Sequence, residues 1–344
     1  MLNIDSAKGW HLKILLIGAG QIGSRHLQGL ALLNNGAKID IVDPSKESLA
    51  TAKQRYEDVK NDSSPIDLNF YTSLTDLDKN TAYDFAIIAT DARIRKGVTV
   101  NLLSTLAIKK IIFEKVLFQK KTDYLEIDQL LKKHQVKAWV NCPMREWPGY
   151  KTLKKQIAQH ESKPTSYKMT VTGGDWGLAC NSIHYVDLFT HLTGLTPTAF
   201  STDFLETEIR ASKRAGFYEL TGELNVMFAD QSKVTLFCDF NSTKPVQLTI
   251  ETGQQRHIIK EDLKCCYSSY ASSNWKFEKW DLEMPYQSQL TGLILNELTQ
   301  TGRTDLPTYQ ESMNIHLPMI ESFTEFFKIH LKTDTKGDLS CPIT

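Results

Sequence analysis

The 344-residue sequence lacks the patterns that mark several specialised classes of protein. Its six cysteines include no CxxC pair, and no histidine stands at zinc-type spacing from them, so we expect neither a metal site nor a disulfide framework. No apolar run approaches the ~20 residues of a membrane helix, and the first residues do not resemble an export signal. Basic and acidic residues both total 40, which leaves no overall positive field for nucleic acid. These absences predict a neutral cytoplasmic protein with reduced thiols and with no metal, membrane or nucleic-acid partner.

The first part of the chain shows instead the alternation of a parallel α/β sheet. Short apolar runs predict six strands, over residues 13–17, 39–42, 68–71, 85–89, 111–113 and 136–140. Amphipathic stretches between them predict helices, over residues 21–33, 45–57, 93–106 and 122–134. Strands joined by crossover helices make a doubly wound sheet, which binds its ligand beyond the carboxyl ends of the strands.

After residue 148 the pattern changes to short alternating runs separated by turn residues. The strand candidates are residues 166–172, 219–228, 233–240, 246–251 and 257–259. Turn residues between these runs favour antiparallel hairpins over crossovers. Helical patterns cover residues 181–192, 287–299 and 309–329.

A glycine motif follows the first predicted strand and opens the first predicted helix. In this GxGxxG segment Gly18 permits a tight turn, Gly20 lets the backbone approach a pyrophosphate, and Gly23 lets the helix pack close to the strand. The amides at the helix start, at Gln21 and Ile22, supply positive potential for phosphates. The motif therefore predicts a dinucleotide site, the alternative being a turn without a ligand.

Asp43 ends the second predicted strand, 20 residues after Gly23, where a ribose-binding acid is expected. A carboxylate there accepts hydrogen bonds from both ribose hydroxyls and repels a 2′-phosphate, so NAD is favoured over NADP. Lys46 nearby acts against that preference. The alternative is that Asp43 caps the helix that begins near Ser45.

Several segments, in order, resemble the Gfo/Idh/MocA family of glucose-fructose oxidoreductase and inositol dehydrogenase. They are GxGxxGxxH ending at His26, AIIAT at 86–90, FEK at 113–115, MREW at 144–147, HYVDL at 184–188 with LTG at 192–194, and LPTYQES at 306–312. The resemblance implies an α/β Rossmann domain with a doubly wound parallel sheet, then an α+β domain with a mostly antiparallel open sheet. It also implies that the chain end returns to the first domain.

The domains implied are a dinucleotide-binding domain of residues 1–143 plus 288–344 and a substrate-binding and oligomerisation domain of residues 144–287. The outer face of the second sheet commonly joins subunits in this family, which implies a homodimer or homotetramer. The activity implied is NAD-dependent hydride transfer to or from a secondary hydroxyl or keto group of a sugar, cyclitol or nucleotide-sugar.

By resemblance Lys115 lies next to the substrate hydroxyl and the nicotinamide, and His184 is the catalytic histidine. An ammonium suits a developing alkoxide, and a neutral imidazole suits the alcohol proton near neutral pH. Asp187, on the same helix face, would fix the tautomer of His184. Thr90 and Glu114 are assigned to the cofactor, and Glu114 alternatively positions Lys115. The alternatives are that Lys115 is an ordinary surface lysine and that His184 is a buried core histidine without a catalytic role.

Four positions depart from the family pattern. Val116 replaces the usual proline after Lys115, so either the peptide there is trans or other contacts hold it cis, at a cost of about 3–4 kcal/mol. Cys180 and Ser182 stand where an acid and a glycine are usual, which makes Asn181 the candidate that orients the substrate. Arg95 stands where a histidine is common.

Arg145 and Trp176 complete the substrate candidates. Arg145 lies at the expected domain junction and either contacts substrate or anchors the hinge. Trp176 either stacks on a sugar face or belongs to an ordinary turn. A nonenzymatic NAD-binding sensor or regulator on the same fold is the alternative function, because fold does not determine function.

Overall fold

The apolar runs of the first part form a six-stranded parallel sheet in the order β3-β2-β1-β4-β5-β6. Its strands are β1 (Trp10–Ile17), β2 (Gly36–Val42), β3 (Ile66–Tyr71), β4 (Ala82–Ile88), β5 (Ala107–Phe113) and β6 (Lys137–Val140). The crossover helices are α1 (Gln21–Leu30), α2 (Lys46–Glu57), α3 (Ala92–Thr105) and α4 (Lys121–Lys133). The computed structural model describes residues 10–60, 65–160, 166–331 and 340–344.

Continuous burial explains why these strands were recognisable. In β1 the consecutive residues Ile14, Leu15 and Leu16 are all completely buried, because helices cover both faces of the sheet. All strand pairs in this sheet are parallel. The predicted doubly wound α/β architecture is therefore confirmed.

The second sheet has eight strands in the order β16-β15-β14-β13-β7-β12-β11-β8. The strands are β7 (Lys168–Gly174), β8 (Pro197–Leu205), β11 (Gly222–Phe228), β12 (Lys233–Asp239), β13 (Gln247–Glu251), β14 (Gln255–Lys260), β15 (Cys265–Tyr270) and β16 (Glu278–Asp281). A separate short pair consists of β9 (Arg210–Ala211) and β10 (Tyr218–Glu219). The β7–β12 pair is parallel, and the other pairs of the large sheet are antiparallel. The mostly antiparallel expectation is confirmed.

Four helices belong to the rest of the described chain: α5 (Pro148–His160), α6 (Leu178–Thr193), α7 (Thr291–Gln300) and α8 (Tyr309–His330). α6 begins three residues before the predicted start, and left-handed glycines, Gly177 and Gly194, stand at its two ends. The sequence patterns missed α5, which opens on Pro148 at a first-turn position that tolerates proline. They also missed β8, β15 and β16.

The described chain divides into two compact units whose limits differ from the expected domain boundaries. The first comprises Met1–Leu117, Leu125–Pro143 and Pro285–Tyr309, and the second comprises Phe118–Tyr124, Met144–Met284 and Gln310–Thr344. α7 belongs to the first unit because Gly292 packs against α1, where a Cβ would lie 2.4 Å from the Gly29 oxygen. Most of α8 belongs to the second, since Ser322 donates to the Phe200 carbonyl of β8 at 3.0 Å.

None of the helices in the described ranges combines the length and apolar character that a membrane crossing requires. In those same ranges no group of three or more His, Cys, Asp or Glu side chains is arranged to hold a metal ion.

Candidate active site

The glycine turn between β1 and α1 has the geometry that a dinucleotide pyrophosphate requires. Gly18 has a φ of +92° and donates its N–H to the Val42 carbonyl at 2.8 Å. A Cβ on Gly23 would lie 1.8 Å from the Gly18 oxygen, so only glycine lets α1 pack this close. A Cβ on Gly20 would meet no atom within 4 Å, so that side of the turn is open. No acidic side chain occupies the first turn of α1, which leaves the helix potential available to an anion.

Asp43 is tied to the same turn. Its Oδ2 accepts the Ala19 N–H at 2.7 Å, and its Oδ1 accepts the Ser45 N–H at 2.8 Å. Ser45 itself caps α2 by accepting the Ser48 N–H, so the cap belongs to Ser45. Each carboxylate oxygen retains a lone pair for a further donor. This arrangement fits ribose recognition, which remains a prediction for Asp43.

Thr90 adjoins the glycine turn at the end of β4. Its amide nitrogen lies 3.1 Å from where a Cβ on Gly18 would stand. Its hydroxyl oxygen is buried without a hydrogen-bond partner among the described residues. An orphaned hydroxyl beside an open phosphate turn fits a bound dinucleotide.

Glu114, predicted to bind the cofactor, lies at the centre of a buried polar cluster. Its Oε1 accepts the His26 Nε2–H at 2.8 Å and a hydrogen bond from the Asn141 amide. Burial opposes ionisation of this carboxyl, but the hydrogen bond and charge of His26, the hydrogen bond from Asn141 and the charge of Lys115 together lower the pKa of Glu114. The contacts support the alternative role, in which Glu114 positions its neighbours.

Lys115 follows Glu114 directly and is half-buried. The Lys115–Val116 peptide is cis, which is the second of the two alternatives that the missing proline left open. Arg95 is buried, donates to the Leu117 carbonyl at 2.8 Å, and also binds the carbonyls of Val116 and Thr90. Arg95 therefore holds the loop after β5 beside the end of β4, a role that sequence reasoning missed.

In the second unit α6 carries the predicted catalytic pair, His184 and Asp187. His184 is half-buried, whereas Asp187 is completely enclosed. Arg145 donates to both carboxylate oxygens of Asp187, from Nε at 2.8 Å and from Nη2 at 2.7 Å. The residue predicted to touch substrate and the residue predicted to orient His184 thus form a bidentate ion pair with each other.

The Arg145–Asp187 ion pair is almost completely buried. Burial raises the pKa of the Asp187 carboxyl, and the Arg145 guanidinium acts in the opposite direction. Glu311, at the start of α8, adds a smaller contribution that raises the same pKa. The structure favours an anchoring role for Arg145, and the catalytic role of Asp187 stays a prediction.

The other two substrate candidates are engaged in local contacts. Trp176 donates its indole N–H to the Phe237 carbonyl at 2.9 Å and packs edge-on against Tyr185. Asn181 donates its amide to the Trp176 carbonyl at 2.8 Å. These contacts support the turn alternative for Trp176 and give Asn181 a part in the same turn, so substrate contact by either remains a prediction.

Two acidic residues near α6 had no sequence signal. Glu219 of β10 accepts the Ala179 N–H at 2.9 Å and so caps the start of α6. Glu261 accepts the hydroxyls of Tyr150 and Tyr185 at 3.0 and 3.4 Å. Burial raises the pKa of Glu261. Both carboxylates fix the helix that carries His184, and both are distant from it in sequence.

The family model for the Gfo/Idh/MocA oxidoreductases, an NAD-binding Rossmann fold, matches residues 12–142. These residues belong to the Gfo/Idh/MocA oxidoreductase family. The matched segment contains the open glycine turn, Asp43, Thr90, Glu114 and Lys115, and NAD is the cofactor that this Gfo/Idh/MocA domain binds. The Gfo/Idh/MocA resemblance of the sequence is thereby confirmed.

Solved structures share the fold over most of the chain. UDP-N-acetylglucosamine 3-dehydrogenase of Acidithiobacillus ferrooxidans gives a TM-score of 0.69 at 12% identity, over 91% of this chain and 96% of its own. The WlbA dehydrogenase of Bordetella pertussis, in complex with NADH and UDP-GlcNAcA, gives 0.67 at 14% identity, over 93% and 96%. A super-repressor mutant of Gal80p from Saccharomyces cerevisiae gives 0.68 at 14% identity, over 92% and 96%.

At such identities the structural likeness shows the fold alone. No curated protein sequence matches the chain. The Gfo/Idh/MocA assignment therefore rests on residues 12–142, and the substrate belongs to the proposals below.

Proposed function

We propose that the chain is an NAD-dependent oxidoreductase that transfers hydride between nicotinamide and a secondary hydroxyl or keto group of a sugar, cyclitol or nucleotide-linked sugar. The observation that carries the proposal is Lys115, held after β5 by the Arg95-bound loop in a Rossmann domain whose glycine turn is open. A UDP-N-acetylglucosamine 3-dehydrogenase and a dehydrogenase solved in complex with NADH and UDP-GlcNAcA share the fold, which supports a carbohydrate-type substrate.

Two side chains carry the chemistry in this proposal. When bound, NAD supplies the hydride acceptor. The Lys115 ammonium stabilises the negative charge that develops on the substrate oxygen as the carbinol carbon becomes a carbonyl. His184 takes the hydroxyl proton, and it returns that proton when the reaction runs as a ketone reduction. Asp187 supports His184 through the Arg145-anchored face of α6.

The proposal is tested by incubating the purified protein with NAD and a panel of polyols, sugars and UDP-sugars while following absorbance of the reduced cofactor. We expect turnover on at least one compound that bears a secondary hydroxyl. Tight NAD binding with no turnover on any of them, in either direction, would contradict an oxidoreductase and favour the regulator described next.

A nonenzymatic NAD-binding regulator is the second candidate. The likeness to Gal80p, described as a super-repressor mutant, supports it, as do Val116 and Cys180 at positions where the resemblance implies a proline and an acid. The presence of both Lys115 and His184 favours the enzyme. The panel experiment separates the two functions.

Asp43 is expected to decide cofactor preference. Asp43→Asn retains one acceptor oxygen for the turn amides but removes the charge that repels a 2′-phosphate, so the ratio of NADP to NAD affinity should rise about tenfold. Fluorescence titration with NADH and NADPH measures the ratio. Asp58→Asn, at the exposed end of α2, is the matched control and should leave it unchanged. Tighter wild-type binding of NADPH than of NADH would show that Asp43 does not set the preference.

We also propose that the protein is a cytoplasmic homodimer or homotetramer joined through the outer face of the eight-stranded sheet. Outward-facing threonines line its centre, where Thr170 of β7 stands between Thr235 of β12 and Thr249 of β13. Such a β-branched sheet surface suits packing against a second copy.

Thr170→Arg should therefore convert the oligomer to monomer, since two copies would bring like charges together at the symmetry axis. Light scattering after size exclusion measures the mass. Thr51→Arg, exposed on α2, is the control and should keep the wild-type mass. A wild-type protein that is already monomeric would overturn the proposed assembly.

A further inference from the structure

His26 is a buried histidine that the proposed chemistry does not use. It is 1% exposed, lies on α1, and belongs entirely to the first unit. Its two ring nitrogens contact side chains from distant parts of the chain. Nε2 lies 2.8 Å from Glu114 Oε1, and Nδ1 lies 2.9 Å from Thr291 Oγ1.

These contacts are part of a closed ring of hydrogen bonds through five side chains. The ring runs from Glu114 to His26, Thr291, Gln287, Asn141 and back to Glu114. Gln287 donates to Thr291 Oγ1 at 2.9 Å and accepts from Asn141 at 2.9 Å. Asn141 uses the same amide group to donate to Glu114.

The donor inventory of the ring determines how its amide groups are oriented. The Gln287 oxygen must face the Asn141 amide, so the Gln287 nitrogen faces Thr291. The Thr291 hydroxyl, which accepts from that nitrogen, lies 2.9 Å from His26 Nδ1 and 3.4 Å from the Gln287 main-chain carbonyl. These contacts orient the imidazole so that Nε2 points at Glu114.

Glu114 accepts hydrogen bonds from both of its neighbours in the ring, His26 and Asn141. The titratable groups that face it are His26 from α1 and Lys115, its own neighbour, and Asn141 adds a neutral amide. The hydrogen bonds from His26 and Asn141 and the charge of Lys115 all favour the carboxylate form of Glu114.

We propose that His26, oriented by Thr291 and Gln287, holds Glu114 as a carboxylate and thereby places a fixed negative charge beside Lys115. His26, Thr291 and Gln287 are positioning residues in this scheme, since they act on Lys115 through Glu114. The proposal rests on the catalytic role of Lys115 in the proposed function. The segment before and at the start of α7 thus takes part in setting the charge beside the nicotinamide site.

The test measures the reactivity of the Lys115 amine directly, without substrate or cofactor. Competitive acetylation at pH 7.5, read by mass spectrometry, compares wild type with Glu114→Gln, His26→Leu and His26→Gln, with Lys109 of the same strand as internal reference. Removing the carboxylate charge should raise the relative acetylation rate of Lys115 about tenfold in Glu114→Gln. His26→Leu should raise it severalfold, because Glu114 loses its buried donor.

His26→Gln is the matched control, because its side-chain amide can supply an N–H to Glu114 from a similar position. It should stay within about twofold of the wild-type rate, whereas a merely space-filling role for His26 would make the Leu and Gln variants alike. Gln287→Leu serves as a second variant should His26→Leu fail to fold, and it too should raise the rate, because the His26 ring is no longer held toward Glu114.

An unchanged Lys115 rate in folded Glu114→Gln would overturn the proposal even if turnover is found. A raised rate without turnover on any compound would leave this inference standing and count against the oxidoreductase function. Thermal melting of each variant establishes that the labelled protein is folded.

Discussion

We expect Lys115→Ala and His184→Ala each to lower kcat/KM for NAD-dependent oxidation by about 10²- to 10⁴-fold, the range that acid–base and electrostatic groups contribute. Because both groups act on one substrate oxygen in the proposed reaction, the double variant should lose much less than the product of the two single losses. Steady-state rates on the best compound of the panel, measured at saturating NAD, check both expectations.

Surface residues of the same type supply the controls for this prediction. Lys121→Ala removes an exposed lysine that pairs with Glu321, and His160→Gln replaces an exposed histidine at the end of α5. Both should keep wild-type kcat and KM. Turnover that survives in Lys115→Ala and in His184→Ala would eliminate the proposed mechanism, although the cofactor assignment would stand.

Removing one partner of the Arg145–Asp187 pair is expected to lower the free energy of unfolding by about 3–5 kcal/mol. The two side chains are 6% and 1% exposed, so the partner left behind keeps a desolvated charge. Asp187→Ala leaves the buried guanidinium without its partner, and Arg145→Ala leaves the buried carboxylate without its partner. Urea denaturation followed by circular dichroism measures the loss, with the m value as a check that the unfolding transition is unchanged.

The double variant Arg145→Met/Asp187→Leu is the decisive comparison. Replacing the whole pair by apolar side chains leaves no unpaired buried charge. The double variant should therefore be less destabilised than either single variant. Glu325→Ala, which breaks the exposed pair with Lys328, should change stability by less than about 1 kcal/mol. Additive losses in the double variant would show that the pair is not a coupled anchor.

The same variants separate the two roles of Asp187. Asp187→Asn keeps the shape of the side chain and one acceptor oxygen for Arg145. If the carboxylate acts only as an anchor, the folded variant should retain its kcat after correction for folded fraction. A loss of kcat with unchanged KM would instead assign Asp187 to the support of His184.

The strands of the first sheet and its glycine turn could be read from the sequence because both are local patterns. Parallel strands covered on both faces are continuous apolar runs, such as Ile14 to Leu16. The glycine turn lies within six consecutive residues, from Gly18 just after the end of β1 to Gly23 in the first turn of α1. By contrast β16, with exposed and charged residues such as Glu278 and Lys279, has no apolar periodicity to recognise.

Candidate site residues were harder to assign because a side chain has several possible partners. Asp43 was placed correctly at a strand end, yet its contact with the Ala19 amide came only from the folded turn. Asp187 was expected to serve His184 three residues away, whereas the structure pairs it with Arg145, 42 residues away. Helix spacing favours His184 as the partner of Asp187, whereas burial of the Asp187 carboxylate favours Arg145, because the guanidinium neutralises its charge.

The sequence by itself determined the class of the fold and the dinucleotide turn, and its family resemblance assigned Lys115 and His184 to the chemistry, which stays a prediction. Each of these depends on residue types at neighbouring positions. Only the tertiary structure decided which residues surround Glu114, because His26 and Asn141 stand 88 and 27 positions from it. Sheet order brings such residues together, and in a buried site the resulting hydrogen bonds determine which groups are charged.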